Sequence, residues 1–189
     1  MTGQPGLTGL TLAAFLTAMA AQEPAPAGGC AAALSLAQAA ALCAKAARLS
    51  VRQLTAERVG QLTAEAEQIR EAAASLIDED ARAYQVVIEA KRERADAHRV
   101  AGVLSRAADV PMRIVELAAG ATELAAVLAA DGNPALRGDV LTALLLAQAA
   151  ARSAAILVRI DLVGVAGDAR LDRTERLLGL IAQSAERVG

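Results

Sequence analysis

Tryptophan is absent from this chain, and its aromatic side chains number two, Phe15 and Tyr84. The core therefore has to be assembled from alanine, leucine, valine and isoleucine. Histidine occurs once, at His98 in the charged run KRERADAHR, where an exposed helix end accounts for it and a Ser/His/Asp assembly has nothing to draw on. The two cysteines, Cys30 and Cys43, are too few for a disulfide framework. Lying along one expected helix, they cannot meet. With the lone histidine they match no metal-ligand spacing, so no metal is expected. GxGxxG and P-loop patterns are missing. Charge of one sign is missing too: the formal net charge is −2 with acids and bases mixed, which leaves no basic stripe for nucleic acid.

Positive charge is absent before Lys45. The segment LTLAAFLTAMAA at 10–21 resembles the core of a signal peptide, yet the basic region that should precede it is missing. The apolar stretch Val140 to Val165 carries Arg152, Arg159 and Asp161, each costly at a bilayer centre, and reads as a buried helix. No membrane partner is expected, and free cysteines suit a reducing, cytoplasmic compartment.

What the chain has in abundance is small apolar helix formers. Hydrophobic residues make up 55% of 189, and alanine, the strongest helix former, lets helices approach closely. The expectation is all-α: a single domain over residues 1–189, folded as an antiparallel bundle of five to six helices. Apolar surface left over on such a bundle suggests a homodimer.

Thr8 or Thr11 can cap a first helix running to about Gln22. The stretch PAPAGGCAAAL then reads as a Pro/Gly loop opening a second helix from about Cys30 to Leu49, with Leu34, Ala37, Ala41 and Ala44 on one face; almost uncharged, this helix should be central. An amphipathic helix follows from about Leu54 to Arg94. Another spans about Ala95 to Ala130, kinked or restarted at Pro111. Asp131-Gly132-Asn133-Pro134 stops it, the glycine and asparagine read as left-handed. A fifth helix covers about Ala135 to Val165, and after Gly167-Asp168 an exposed helix continues to about Arg187.

Carboxylates with apolar neighbours are the remaining chemistry. In SLIDEDARAY, helical rotation puts Asp80 on the side of Leu76, Ile77, Tyr84 and Val87, whereas Glu79 points elsewhere. Asp139, one turn into the fifth helix, either complements that helix's positive end or joins a site. Asp161 sits between Ile160 and Leu162. A thiol at a helix start, Cys30, either packs as a small residue or gains nucleophilicity.

Taken together, PAPAGGCAAAL, LIDEDARAY and DGNPALRGDVLTA resemble the cyclodeaminase/cyclohydrolase family, the helical domain of formiminotransferase-cyclodeaminase and the stand-alone methenyltetrahydrofolate cyclohydrolases, over roughly residues 10 to 185. The resemblance implies an all-helical dimer that binds a tetrahydrofolate derivative as substrate beside the glycine-rich loop. It implies ligand contacts at Pro26, Gly28, Gly29, Cys30, Tyr84, Asn133 and Asp161, and catalytic acids at Asp80, Asp78 and Asp139. The chain departs from the family pattern at Ala27, where a glycine is usual, and at Cys30 and Gly138, where serines are. Leu157 and Asp161 replace two asparagines, and a Leu-Pro-Lys segment after the acidic helix is missing.

The implied reaction is hydrolysis of 5,10-methenyltetrahydrofolate, or cyclisation of formiminotetrahydrofolate with release of ammonia, with Asp80 as the acid or base and Asp139 orienting the ring or stabilising the cation. Lys45, Arg48, Arg82 and Arg137 are the candidates for an anionic tail. The alternative is a divergent binder of a folate or another heterocycle, acting as an accessory or sensor without turnover.

Overall fold

Helix starts in this chain are written in side-chain oxygens. In the computed structural model, which describes residues 6–165 and 167–188, Thr11 accepts the Ala14 N–H ahead of α1 (Leu12–Met19) and Thr55 accepts the Arg58 N–H ahead of α3 (Ala56–Arg92), leaving fewer orphan donors. Asp96 does the same for α4 (Ala97–Ala107), and Asp168 for α7 (Ala169–Glu186). Three helices lack such a cap: α2 (Gly28–Arg48), α5 (Asp109–Asp131) and α6 (Arg137–Asp161). For α5 and α6 the preceding turn is itself helical, since Ala108 joins α4 to α5 and a 3₁₀ turn (Pro134–Leu136) leads into α6. Only α2 starts bare, behind Ala27 in extended backbone.

Among the described residues there is no strand. Five long helices (α2, α3, α5, α6 and α7) and the shorter α4 make the bundle, with α1 as a two-turn appendage behind a 3₁₀ turn at Leu7–Gly9. α2 is the central rod, packed against α3, α6 and α5. Its inward side is Cys30, Ala33, Leu36, Ala40, Cys43 and Ala47, all fully buried, and side chains this small let neighbouring helices close in. Ala44 is buried as expected, but Leu34 and Ala37 are half-buried and Ala41 is exposed, so the inward face is rotated from the expected one. Cys30 and Cys43 are both buried and free.

Boundaries moved for identifiable reasons. The expected first helix stops three residues early, at Met19. α2 begins at Gly28, so the two glycines lie in its first turn rather than in the loop. The fourth stretch restarts at Asp109 with Pro111 in the first turn, where proline's missing donor does no harm. α6 ends at Asp161, and Gly164 turns left-handed at φ +83° three residues on. Gly132 and Asn133 are not left-handed, with φ of −81° and −70°. Gly132 is needed for space instead: a Cβ there would run into the Leu128 carbonyl oxygen.

Two stretches, Gly28–Arg48 and Pro134–Asp161, are long and apolar enough to cross a membrane by length and composition. In the fold 56% and 44% of their most apolar windows are buried inside the bundle. Arg170 fastens α7 across the bundle: its guanidinium donates to Asp168, to the Ser105 carbonyl and hydroxyl oxygens, and to Asp109.

Candidate functional site

The bare start of α2 is answered from another helix. Asp80, half-buried on α3, brings its carboxylate over the first turn of α2, where it accepts the Cys30 thiol at 3.2 Å and feels the Cys30 backbone N–H. A carboxylate at a helix N-terminus meets unpaired N–H groups and the positive end of the dipole. This contact also explains Gly29, because a Cβ at that position would collide with the Asp80 carboxylate. Gly28, by contrast, has open space where a Cβ would stand, and it is exposed. The glycine pair therefore divides its work: Gly29 makes room for an acid, and Gly28 leaves the surface beside it bare.

That surface is one wall of a cleft of about 280 Å³. Ala27, Gly28 and Gly29 face Asp80 and Tyr84 from α3, and Leu157, Ile160 and Asp161 from the end of α6 close the side, with Pro111 of α5 at the base. Among the described residues no lysine, arginine or histidine lines it. Burial is the main influence on Asp80 and pushes its carboxyl above the ordinary range, while the two bonds from Cys30 pull it back. Asp161 is pushed up to about 6, by burial first and then by the Asp80 charge, with Lys91 acting the other way. An acid whose carboxyl is raised by burial in a cleft is a better proton carrier than a solvated one.

Cys30 stands behind Asp80 rather than in the cleft. Its side chain is fully buried, and burial pushes the thiol up to about 12, assisted by the neighbouring Asp80 carboxylate. Both features favour the packed small residue over the activated nucleophile, since the reactive form is the thiolate. The thiol also lies 3.4 Å from the Ile77 carbonyl oxygen, so its one proton is shared between that carbonyl and the Asp80 carboxylate. Pro26 is buried next to the cleft without lining it.

Other expected site residues lie elsewhere in the chain. Asp78 is turned away from Asp80, as two residues of helical rotation require, and holds the N-terminal segment: it accepts the Leu7 N–H at 2.6 Å and the Thr8 hydroxyl at 2.8 Å. Asp139 pairs with Lys45 at 2.6 Å. Asn133 is occupied with structure: its side chain donates to the Leu49 carbonyl and accepts the Ala135 N–H, and its backbone N–H donates to the Ser50 hydroxyl oxygen. Both sit beside the far end of α2, where their partners Lys45 and Leu49 are sixteen and twenty residues from Gly29, roughly 24 and 30 Å along the helix. Of the expected tail-binding cations, Lys45, Arg48 and Arg137 are engaged by Asp139, Glu67 and the Val188 carbonyl, and Arg82 is exposed on α3. Sequence reasoning missed Pro111, Ile160 and Lys91. For Pro111 a signal existed, since a proline expected to restart a helix also marks where that helix begins. His98 is exposed.

Known proteins share both the sequence pattern and the fold. The sequence matches the family described as formiminotransferase-cyclodeaminase over residues 11–176. A methenyltetrahydrofolate cyclohydrolase from Methylorubrum extorquens is 29% identical over 187 residues, covering 92% of this chain and 90% of the relative. The crystal structure of formiminotetrahydrofolate cyclodeaminase from Thermotoga maritima shares the fold at a TM-score of 0.85 and 23% identity, over 95% of this chain and 94% of that one. The chain belongs to the formiminotransferase-cyclodeaminase family.

Proposed function

We propose that the chain acts on the one-carbon bridge of a tetrahydrofolate, hydrolysing the 5,10-methenyl cation or closing a formimino group with release of ammonia, and that Asp80 is the residue that moves the proton. The observation that carries this reading is a half-buried carboxylate with no basic partner, clamped by Cys30 at the edge of a cleft whose other wall is bare glycine backbone. In the hydrolytic direction Asp80 accepts a proton from the water that attacks the bridging carbon. In the cyclising direction the second bridge nitrogen, outside the pterin ring, bonds to the formimino carbon, and the leaving nitrogen departs as ammonia after taking one proton from protonated Asp80 and the one that the attacking nitrogen gives up. Either role needs a carboxyl lifted toward neutrality, which burial supplies. Gly28 lets a flat heterocycle lie against main chain, and the half-exposed Tyr84 ring offers it a second face.

The names of the relatives and the family match support this reading, and the test is direct. Mixing the protein with methenyltetrahydrofolate and following loss of its near-ultraviolet absorption should show acceleration over the spontaneous reaction, abolished in Asp80→Asn. The changed positions Ala27, Cys30, Leu157 and Asp161 all lie in or behind the cleft, which favours, as a second reading, a binder without turnover; tight binding of the folate with no acceleration would establish that instead. We also propose a homodimer, supported by Leu145, Ile156 and Ile160, exposed along one flank of α6, and by Val163, exposed in the turn after it. A monomeric mass by light scattering would remove it.

A further inference from the structure

Asp161 stands where the family pattern carries asparagine, and that single change gives the cleft a second negative charge. Asp161 makes no hydrogen bond or ion pair among the described residues, and it shares the cleft with Asp80, with Ile160 and Leu157 beside it on α6. The charged groups acting on it both come from α3: Asp80, which opposes its ionisation, and Lys91, which favours it. From α2 the nearest titratable group is the Cys30 thiol, kept un-ionised by burial. α5 contributes only Pro111, and neither α4 nor α7 lines the cleft.

We propose that Asp161 is a specificity residue: paired with Asp80, it makes the cleft select the cationic state of the one-carbon unit, an amidinium-like methenyl ring or formimino group, over the neutral formyl state. This rests on the folate reading above. The physical argument is that two carboxylates lining one cleft oppose each other's ionisation, so below about pH 6 one of them stays protonated when no ligand is bound. A delocalised cation placed between them relieves that repulsion and draws the pair into the doubly charged form, releasing a proton. A neutral ligand gives no such relief. Asparagine at the same place would hydrogen-bond both ligands and distinguish neither by charge. For a hydrolase the consequence is useful, because the substrate is cationic and the formyl product is neutral, so the charge that holds one lets go of the other.

The sign of the pH dependence follows. Asp161 ionises at about 6, so attraction for a cation grows as pH rises through that value and fades below it. The test compares the KM for methenyltetrahydrofolate with the calorimetric Kd for neutral 5-formyltetrahydrofolate between pH 5 and 7.5, in the wild type, Asp161→Asn and Asp161→Glu. The wild type should favour the cation by about tenfold more at the upper pH than at the lower, the equivalent of one pKa unit of differential interaction. That change should vanish in Asp161→Asn, with kcat falling far less than the preference does, and return in Asp161→Glu. Equal pH dependence for the two ligands in the wild type, a readout that needs no variant, overturns the inference while leaving turnover and the folate reading intact. So does an Asp161→Asn protein that keeps the preference. Absence of both binding and turnover in the wild type overturns the folate reading and this inference with it.

Discussion

Two carboxylates meet the starts of helices at opposite ends of α2, and only one of them has a counter-ion. Asp139, in the first turn of α6, faces Lys45 at 2.6 Å in partly solvated surroundings. Asp80, over the first turn of α2, has the Cys30 thiol for a partner and lines a cleft. Both feel the positive end of a helix dipole, so the dipole alone does not separate them. What separates them is burial without a cation. An acid satisfied by lysine has its charge answered before any ligand arrives, whereas one held by weak, neutral donors keeps proton transfer available.

The largest test of that contrast is to neutralise each acid in turn. Asp80→Asn should lower the acceleration of methenyl hydrolysis by about 10²- to 10⁴-fold, the usual range for losing a general acid or base. Asp139→Asn should change the rate by less than about threefold, having removed only a surface ion pair. A comparable loss in both variants would break the comparison, and would mean that the far end of α2 reaches a cleft in a second copy of the chain.

Next in size is the glycine pair. Gly29→Ala sets a methyl group against the Asp80 carboxylate, which must swing away from Cys30. Overpacking of this kind costs about 1–3 kcal/mol, and thermal melting should show it together with a loss of turnover. Gly28→Ala meets open space, and in a first helical turn it should leave the melting temperature unchanged or slightly raised. If the two variants melt alike, the steric account of Gly29 is wrong.

The sequence exposed one half of this arrangement more readily than the other. Placing Asp80 on the greasy side of its helix needed only 100° of rotation per residue, and the structure puts it there beside Tyr84. The alternation of apolar and charged residues in α3 was equally readable, with Leu62, Ile69, Leu76, Ile77 and Val87 all buried. In α2 the same reasoning had no purchase: alanine occupies both the inward and outward faces, so periodicity carries no direction, and Ala41 came out exposed. Asp78 and Asp139 illustrate a second limit. Their partners, the Leu7 N–H and Lys45, lie 71 and 94 residues away in sequence, and no local pattern announces such a pairing. Gly29 hid its purpose for the same reason, because the atom that forbids a side chain there belongs to another helix.

A smaller effect comes from the stability cost of the cleft acids. Asp161 binds its proton more tightly folded than unfolded, the carboxyl moving from 3.8 to about 6. Between those values the folded state holds more protons, so stability falls as pH rises through the window and stays lower above it. The full shift would correspond to about 3 kcal/mol, but Asp161 is only half-buried and solvent screening reduces this to about 1 kcal/mol. Asp161→Asn should therefore melt like the wild type near pH 4 and become more stable by about that amount at pH 7. No gain at pH 7 would mean that the carboxylate is better solvated than its place among Leu157, Ile160 and Tyr84 implies.

The smallest expected change lies at the other end of α2. Lys45→Ala removes the partner of Asp139, and with the lysine side chain 54% and the aspartate 35% exposed the pair is an ordinary surface bridge, worth about 0–1 kcal/mol and weaker still in high salt. Denaturant unfolding at low and at 1 M salt should show a difference between variant and wild type that shrinks as salt rises. A loss well above 1 kcal/mol that persists in salt would place Asp139 in a drier setting than a single chain provides. Asp139 would then be a second sheltered acid, and the contrast between the two ends would lie in their partners alone, with burial no longer the deciding term.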